Sequence, residues 1–160
     1  MTLLSRSVFQ PQKRVLVLAP PCTSTKEMSI ILPVKNNQAG VTRFLTELLR
    51  THPPSLYPRE VIIVDNHSMP PLALPSTLLT GELCVTVLSC ARPGPASARN
   101  VGTRHARTAW VVFTDSDCLP APTFLTGYLE ATSSGAVGYA GTVQAWKQDR
   151  WSRYYDSQAI

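Results

Sequence analysis

The segment Thr114-Asp115-Ser116-Asp117-Cys118 directly follows the apolar run Trp110-Val111-Val112-Phe113. Two carboxylates, one residue apart, sit where a buried strand runs out into a loop. Alternate residues of an extended chain point the same way, so both acids converge on one cation. Hard divalent ions such as Mg²⁺ or Mn²⁺ favour carboxylate oxygen. In phosphate chemistry they take one or two carboxylates plus the phosphates of the substrate. The competing reading is a polar turn before Leu119-Pro120, since surface Asp pairs are common.

Two further segments carry chemistry. Asp65 closes Val61-Ile62-Ile63-Val64 and precedes Asn66-His67-Ser68. A carboxylate at a strand end accepts hydrogen bonds from a ribose or a base N–H; an Asx turn capping the strand is the plainer account. Arg92-Pro93-Gly94-Pro95-Ala96-Ser97-Ala98-Arg99-Asn100-Val101-Gly102 is a loop running into a helix. Glycine permits close backbone approach, the helix start offers unpaired N–H groups to an anion, and Arg99 adds a cation. Arg99 and Asn100 as capping or packing residues remain the alternative. His67 and His105 have no partner in sequence, which leaves them surface or packing roles.

These residues need a scaffold, and the apolar pattern supplies one. Ser29-Ile30-Ile31-Leu32-Pro33-Val34 reads as a buried strand, and Val41, Phe44, Leu45, Leu48 and Leu49 as one face of a helix that Pro53 and Pro54 end. Residues 60–64 form a second strand, and a Pro/Leu-rich connection over 69–79 leads to a third at 83–88. A helix over 96–108 follows, with small residues suited to close approach. A fourth strand at 110–113, a helix over 122–132 with Pro122 in its first turn, and a fifth strand at 137–143 complete the series. Strand–helix alternation with continuously apolar strands predicts a mostly parallel α/β sheet with helices on both faces. Ligands of such sheets bind beyond the carboxyl ends of the strands. Lys35, Asn36 and Asn37, then Asp65, Asn66, His67 and Ser68, then Ser89 and Arg92, then Asp115 and Asp117 make that edge polar throughout.

Composition narrows the classes. One hundred and sixty residues with 44% apolar content predict one domain with a real core, which excludes wholesale disorder. Fifteen basic against ten acidic residues give +5, an excess that suits an anionic ligand or an acidic membrane surface. No long Lys/Arg block appears, so the excess is too small and scattered to argue for nucleic acid, and none is expected as a partner. Cys22, Cys84, Cys90 and Cys118 lack metal-ligand spacing and read as reduced thiols in a reducing, cytoplasmic compartment. No apolar run reaches the ~18 residues that a span requires, and no signal-peptide pattern precedes a cleavage site.

The ends read less clearly. Residues 14–19 suit a short strand, but Pro20-Pro21 and a polar run from Thr23 to Glu27 follow. Residues 1–27 are therefore expected to be a loosely ordered extension, with Met28 a candidate translation start. The tail Trp146-Lys147-Gln148-Asp149-Arg150-Trp151-Ser152-Arg153-Tyr154-Tyr155 mixes bases with aromatics. It suits either a partly buried amphipathic helix or peripheral membrane contact.

Order and spacing together say more than each segment. The strand 29–34 running into Lys35-Asn36-Asn37, the strand 61–64 with Asp65-Asn66-His67-Ser68, the loop-helix 94–102 and Phe113-Thr114-Asp115-Ser116-Asp117 resemble the family 2 glycosyltransferases of GT-A (Rossmann-like) fold. The resemblance covers roughly residues 28–143. It implies nucleotide contacts from Pro33, Val34, Asn36 and Asp65, with Asp65 near the base, and an approach by Arg99. It implies ribose and metal-diphosphate contacts from Asp115 and Asp117, with Mg²⁺ or Mn²⁺ on Asp117 assisted by Asp115. The partner would be a UDP- or GDP-linked sugar, transferred to an acceptor hydroxyl (glycan, lipid or small molecule) with inversion. Two departures bear on the base rather than the fold. Asn66 stands where the family often has a second acid, and Lys35-Asn36-Asn37-Gln38 replaces a Tyr-Asn or His-Asn followed by an acid.

Family members normally continue into an acceptor-binding half that holds the general base and often a Gln-x-x-Arg-Trp segment. Nothing after Val143 matches these, and Asp149 and Asp156 come too early in the family's order. The catalytic base is therefore unassigned, and residues 144–160 are expected to lead into a missing half. Three alternatives stay open: a non-catalytic nucleotide-binding fragment or subunit, a nucleotidyltransferase, and a membrane-associated scaffold using the aromatic-basic tail.

Overall fold

The computed structural model describes residues 22–144. Its strands are β1 (Met28–Val34), β2 (Glu60–Asp65), β3 (Val85–Ser89) and β4 (Trp110–Phe113). Its helices are α1 (Gln38–Thr51), the short α2 (Ser76–Leu79), α3 (Pro95–His105) and α4 (Phe124–Ala131). All strand pairs are parallel, in the order β3-β2-β1-β4. This is the expected α/β architecture, with helices against both faces of the sheet.

Every residue of β1 and β2 is buried, and side-chain alternation divides them between two layers. Ile30, Leu32 and Val34 join Val41, Phe44, Leu45 and Leu48 of α1 and Leu125 of α4. Phe44 and Phe124 meet edge to face, with ring centroids 6.4 Å apart. On the other face Ile31, Ile62 and Val64 join Ala98 of α3 and Cys90. The small residues of α3 let it lie close: a Cβ on Gly102 would stand 2.5 Å from Cγ2 of Ile31.

The amino-terminal edge is held by a buried acid. Glu60 Oε1 accepts from Ser29 Oγ at 2.8 Å and from the Arg107 amide at 2.9 Å. Ser29 Oγ also lies 2.7 Å from Thr108 Oγ1. The link from α3 to β4 is thereby tied across β1 and β2, and helix α3 ends at His105 rather than at 108: the Ala106 amide still bonds the Gly102 carbonyl, but the Arg107 amide turns to Glu60.

Several boundaries differ from expectation. Residues 22–27 are not loose: Cys22 is buried in the core, its amide donates to Thr132 Oγ1 at 3.2 Å, and buried Thr25 donates to the Tyr57 carbonyl at 3.2 Å. A 3-10 turn over Thr25–Glu27, capped by Ser24, replaces the polar run. Strand β3 begins at Val85 rather than 83, although Leu83 is buried in the core. Helix α4 begins at Phe124, with Pro122 in the preceding turn. No strand forms over 137–143, where Val137 and Val143 are 58% and 70% exposed and Gly138 and Gly141 interrupt the run. The strand expected at 14–19 and the tail 146–155 lie outside the described residues. Among the described residues no helix is long and apolar enough to cross a membrane, and all four cysteines are free.

The contact of Gly102 with Ile31 is directly testable. Alanine raises helix propensity by up to ~1 kcal/mol over glycine, whereas overpacking a core costs about 1–3 kcal/mol. Gly102→Ala should therefore lower unfolding free energy in urea titration. A more stable variant would show that α3 does not lie this close to β1.

Candidate functional site

The three strands β1, β2 and β3 end level, with Val34, Asp65 and Ser89 in register. Strand β4 stops lower, since Phe113 pairs with Ile31. The chain then rises beside the end of β1, its first amide, Thr114, bonding the Ile31 carbonyl at 3.3 Å. The order β3-β2-β1-β4 also reverses here, because β2 and β3 build outward on one side of β1 and β4 on the other. A crevice at such a switch point is where open α/β sheets bind ligands.

At the end of β1, Asn37 caps α1: its Oδ1 accepts from the Gly40 amide at 3.1 Å. Its Nδ2 donates to both the carbonyl and the hydroxyl of Ser116, each at 3.1 Å. Gly40 leaves room for this contact, because a Cβ there would collide with the Ser116 carbonyl oxygen and the Asn37 amide. Asn36 has a positive φ of 54° and faces the next loop. Its amide donates to Ser68 Oγ at 2.9 Å, and its Oδ1 accepts from the Met69 amide at 2.8 Å.

At the end of β2, both carboxylate oxygens of Asp65 are engaged by their own connection. Oδ1 accepts from the Ser68 amide at 2.9 Å and Oδ2 from the Leu72 amide at 3.0 Å. Burial pushes this carboxyl up, but the Leu72 and Ser68 hydrogen bonds and the nearby His67 outweigh it and hold it below the ordinary range. Buried Asn66 reaches the other way. Its Nδ2 donates to the Arg92 carbonyl at 2.8 Å and its Oδ1 accepts from the Gly94 amide at 2.7 Å. A carboxylate at position 66 could accept from Gly94 but could not donate to Arg92, which is why an amide suits this position. Gly94, with φ 108°, turns the chain into α3, where Pro95 occupies the first turn.

These elements surround a cavity of about 570 Å³, lined by Pro33, Val34, Lys35 and Asn37 after β1, by Asn66 after β2, by Gly94, Pro95 and Arg99 at the start of α3, and by Asp115, Ser116 and Asp117 after β4. That volume is in the range of small-molecule sites. Arg99 Nη2 lies 2.5 Å from Asp115 Oδ1, with both side chains partly exposed. Among the described residues, the hydrogen-bond contact of the Asp117 side chain is with the Cys118 thiol, at a long 3.9 Å. Burial, with the Asp117 and Asp115 charges beside it, pushes the Cys118 thiol up despite a hydrogen bond from the Asp115 backbone, so it stays protonated at neutral pH.

Of the residues singled out from sequence, Pro33, Val34, Arg99, Asp115 and Asp117 come together round this cavity. Asn36 and Asp65 do not line it; they organise the 66–72 loop behind it. Lys35, Asn37 and Asn66 do line it and were legible only as polar strand-end residues. Ser116 and Gly94 had no signal of their own beyond the segments containing them. Among the described residues no three of His, Cys, Asp and Glu come together. A metal here would thus have two carboxylates, Asp115 and Asp117, and would need ligand oxygens to complete its shell, as diphosphate-bound Mg²⁺ or Mn²⁺ does. The lining holds two cations, Lys35 and Arg99, against those two carboxylates. A diphosphate added to this balanced set is offset by a divalent cation, so the donor set fits one.

Comparison with known proteins agrees with this fold. The family described as "Glycosyl transferase family 2" matches residues 29–159. The pre-mycofactocin glycosyltransferase of Mycobacterium tuberculosis is 35% identical over 103 residues, covering 63% of this chain and 20% of that protein. Among solved structures, S. aureus TarS 1-349 in complex with UDP superposes with a TM-score of 0.53 at 25% identity, over 68% of this chain and 32% of that 1-349 chain. The mannosyltransferase PcManGT from Pyrobaculum calidifontis, in complex with GDP-Man and Mn²⁺, gives 0.50 at 25% identity, over 69% and 34%. The chain thus spans about a fifth of the curated relatives it matches and about a third of the solved ones.

The doubly bonded Asp65 sets a pH dependence. Its carboxyl titrates lower folded than unfolded, so the unfolded chain binds more protons in the acid range and stability rises with pH there. Its contribution is complete above the unfolded value of about 3.9 and is lost as pH falls through the lower folded value. Asp65→Asn faces the Leu72 or Ser68 amide with an NH₂ group and should cost ~1–3 kcal/mol at pH 7. Between about pH 5 and 2.5 its urea midpoint should fall less than that of the wild type. Parallel curves would show that Asp65 is not held by those amides.

Proposed function

The chain belongs to glycosyl transferase family 2, and from that membership we propose that its switch-point cavity binds a nucleoside diphosphate sugar with a divalent metal for glycosyl transfer. The observation that carries this reading is the convergence of Arg99, Asp115 and Asp117, from two separate segments, on one cavity beyond the ends of β1 and β2. Relatives crystallised with UDP, or with GDP-Man and Mn²⁺, support the ligand class.

In this reading Asp117, assisted by Asp115, holds Mg²⁺ or Mn²⁺. The metal, when bound, neutralises the diphosphate so that it departs from the anomeric carbon more readily. Lys35 and Arg99 add fixed positive charge on the same ligand. Pro33 and Val34 pack against the nucleoside, while Asp65 and Asn36 act on it through the loop they hold rather than by direct contact. The sugar passes to an acceptor hydroxyl with inversion, which requires a base that removes the hydroxyl proton. Among the described residues the cavity has no carboxylate besides Asp115 and Asp117, which this reading gives to the metal, so the base is left unassigned. The same observation favours a second reading, in which this chain binds the nucleotide and does not itself catalyse transfer.

Asp117→Asn should weaken Mn²⁺-dependent binding of UDP or GDP by at least about tenfold in calorimetry, a loss that even outer-shell partners of a metal cause. Unchanged affinity would sink the metal assignment. Turnover with a panel of UDP- and GDP-sugars separates the two readings: transfer supports the enzyme, and binding without transfer supports the module. Pyrophosphate release from a nucleoside triphosphate would instead indicate nucleotidyl transfer.

A further inference from the structure

We infer that Asn37 is the positioning residue of the acidic turn, a side-chain brace that sets where Asp115 and Asp117 stand in the cavity. The inference rests on the nucleotide-sugar reading for its functional consequence, but the brace itself is geometric. Strand β4 ends three residues below the end of β1, so the turn over 115–117 has no ladder pairing with β1 to fix its height. Below it, the Thr114 amide is held by Ile31. Within it, the Arg99–Asp115 pair is partly exposed, and such pairs contribute only ~0–1 kcal/mol. Ser116 stands between the two acids, and Asn37 grips it twice, through carbonyl and hydroxyl.

The grip is stiff because the other end of the same amide is committed. Asn37 Oδ1 accepts from Gly40, so the side chain is fixed to the first turn of α1, a helix anchored in the core by Val41, Phe44 and Leu45. Gly40 then presents bare backbone to the Ser116 carbonyl. The amide does this with two separate atoms, its oxygen accepting from Gly40 while its NH₂ offers two hydrogens to Ser116. An aspartate would still cap the helix but has no hydrogen for Ser116, and a serine would cap it with a shorter side chain and a single hydrogen.

That difference separates a positioning role from a capping one. Asp, Ser and Asn are nearly equivalent caps, so Asn37→Asp and Asn37→Ser should lower the melting temperature by only a few degrees, through the lost Ser116 contact rather than the cap. Both should lose about three- to tenfold in Mn²⁺-dependent UDP or GDP affinity, as expected when one ~1 kcal/mol hydrogen bond that places a ligating group is lost. Gly40→Ala, which pushes the same turn from the helix side, should lose affinity as well. In ¹⁵N-correlated NMR spectra of the protein without ligand, the amides of Ser116, Asp117 and Cys118 should shift in both Asn37 variants, while those of β2 stay in place. Unmoved turn amides, or variants that bind as tightly as the wild type, overturn the inference. A wild type that binds neither nucleotide would overturn the proposed function instead, and the NMR comparison would still decide the brace.

Discussion

Parallel strands deliver all their carboxyl ends to one edge, and here the four ends are not level. Val34, Asp65 and Ser89 finish in a row, while β4 stops opposite Ile31. That offset, at the point where the strand order reverses, makes the crevice. It also leaves the acidic turn without ladder hydrogen bonds, so its placement falls to side chains. The buried amino-terminal network of Glu60, Ser29 and Thr108 matters for the same reason. By fixing where β4 starts, it fixes how far short β4 ends.

The carboxyl edge is then assembled by amides rather than by acids. Asn37 ties the acidic turn to α1, and Asn66 ties the Arg92 carbonyl and the Gly94 amide to the end of β2. Each bridges a donor and an acceptor, which a carboxylate cannot do. Asp65, the acid one would place in the ligand site from sequence, spends both oxygens on the Ser68 and Leu72 amides. With 37 and 66 neutral and 65 turned away, the cavity's negative charge is confined to Asp115 and Asp117. A metal-diphosphate ligand therefore meets two acids close together, with Arg99 beside Asp115 and Lys35 in the same lining.

Much of this fold was legible in the sequence, for a definite reason. Strands β1 and β2 are buried on both sides and so are apolar without interruption, and α1 buries the stripe Val41, Phe44, Leu45 and Leu48 that its spacing announces. The order of motifs located the cavity and five of the residues round it. What failed to show were features made by hydrogen bonds between distant segments, which leave no period. The polar residues 23–27 hide a capped 3-10 turn, with Thr25 donating to Tyr57 thirty-two positions away. Residues 137–143 have strand-like composition, yet composition says nothing of whether a neighbouring strand is there to pair. The bridging of Asn37 to Ser116, seventy-nine positions apart, is of the same kind.

The site thus divides into a stiff frame and a loose charged tip. Asn37 and Asn66 make four hydrogen bonds of 2.7–3.1 Å to backbone groups of other segments and of α1, and Asn66 is buried. Bonds of that kind hold because leaving the backbone partner unpaired costs more than the bond itself contributes. Arg99 and Asp115 meet in a partly exposed pair, which water and salt weaken, and among the described residues Asp117 has only a long contact with the Cys118 thiol. A preformed Arg99–Asp115 contact buried from solvent would resist any ligand that needs either partner. An exposed one opens at small cost and, until it does, keeps the two charges from repelling or misplacing their neighbours. For a ligand carrying both a diphosphate and a cation, that combination is the useful one: positions are fixed by the amides, and the charges are left free to be shared anew.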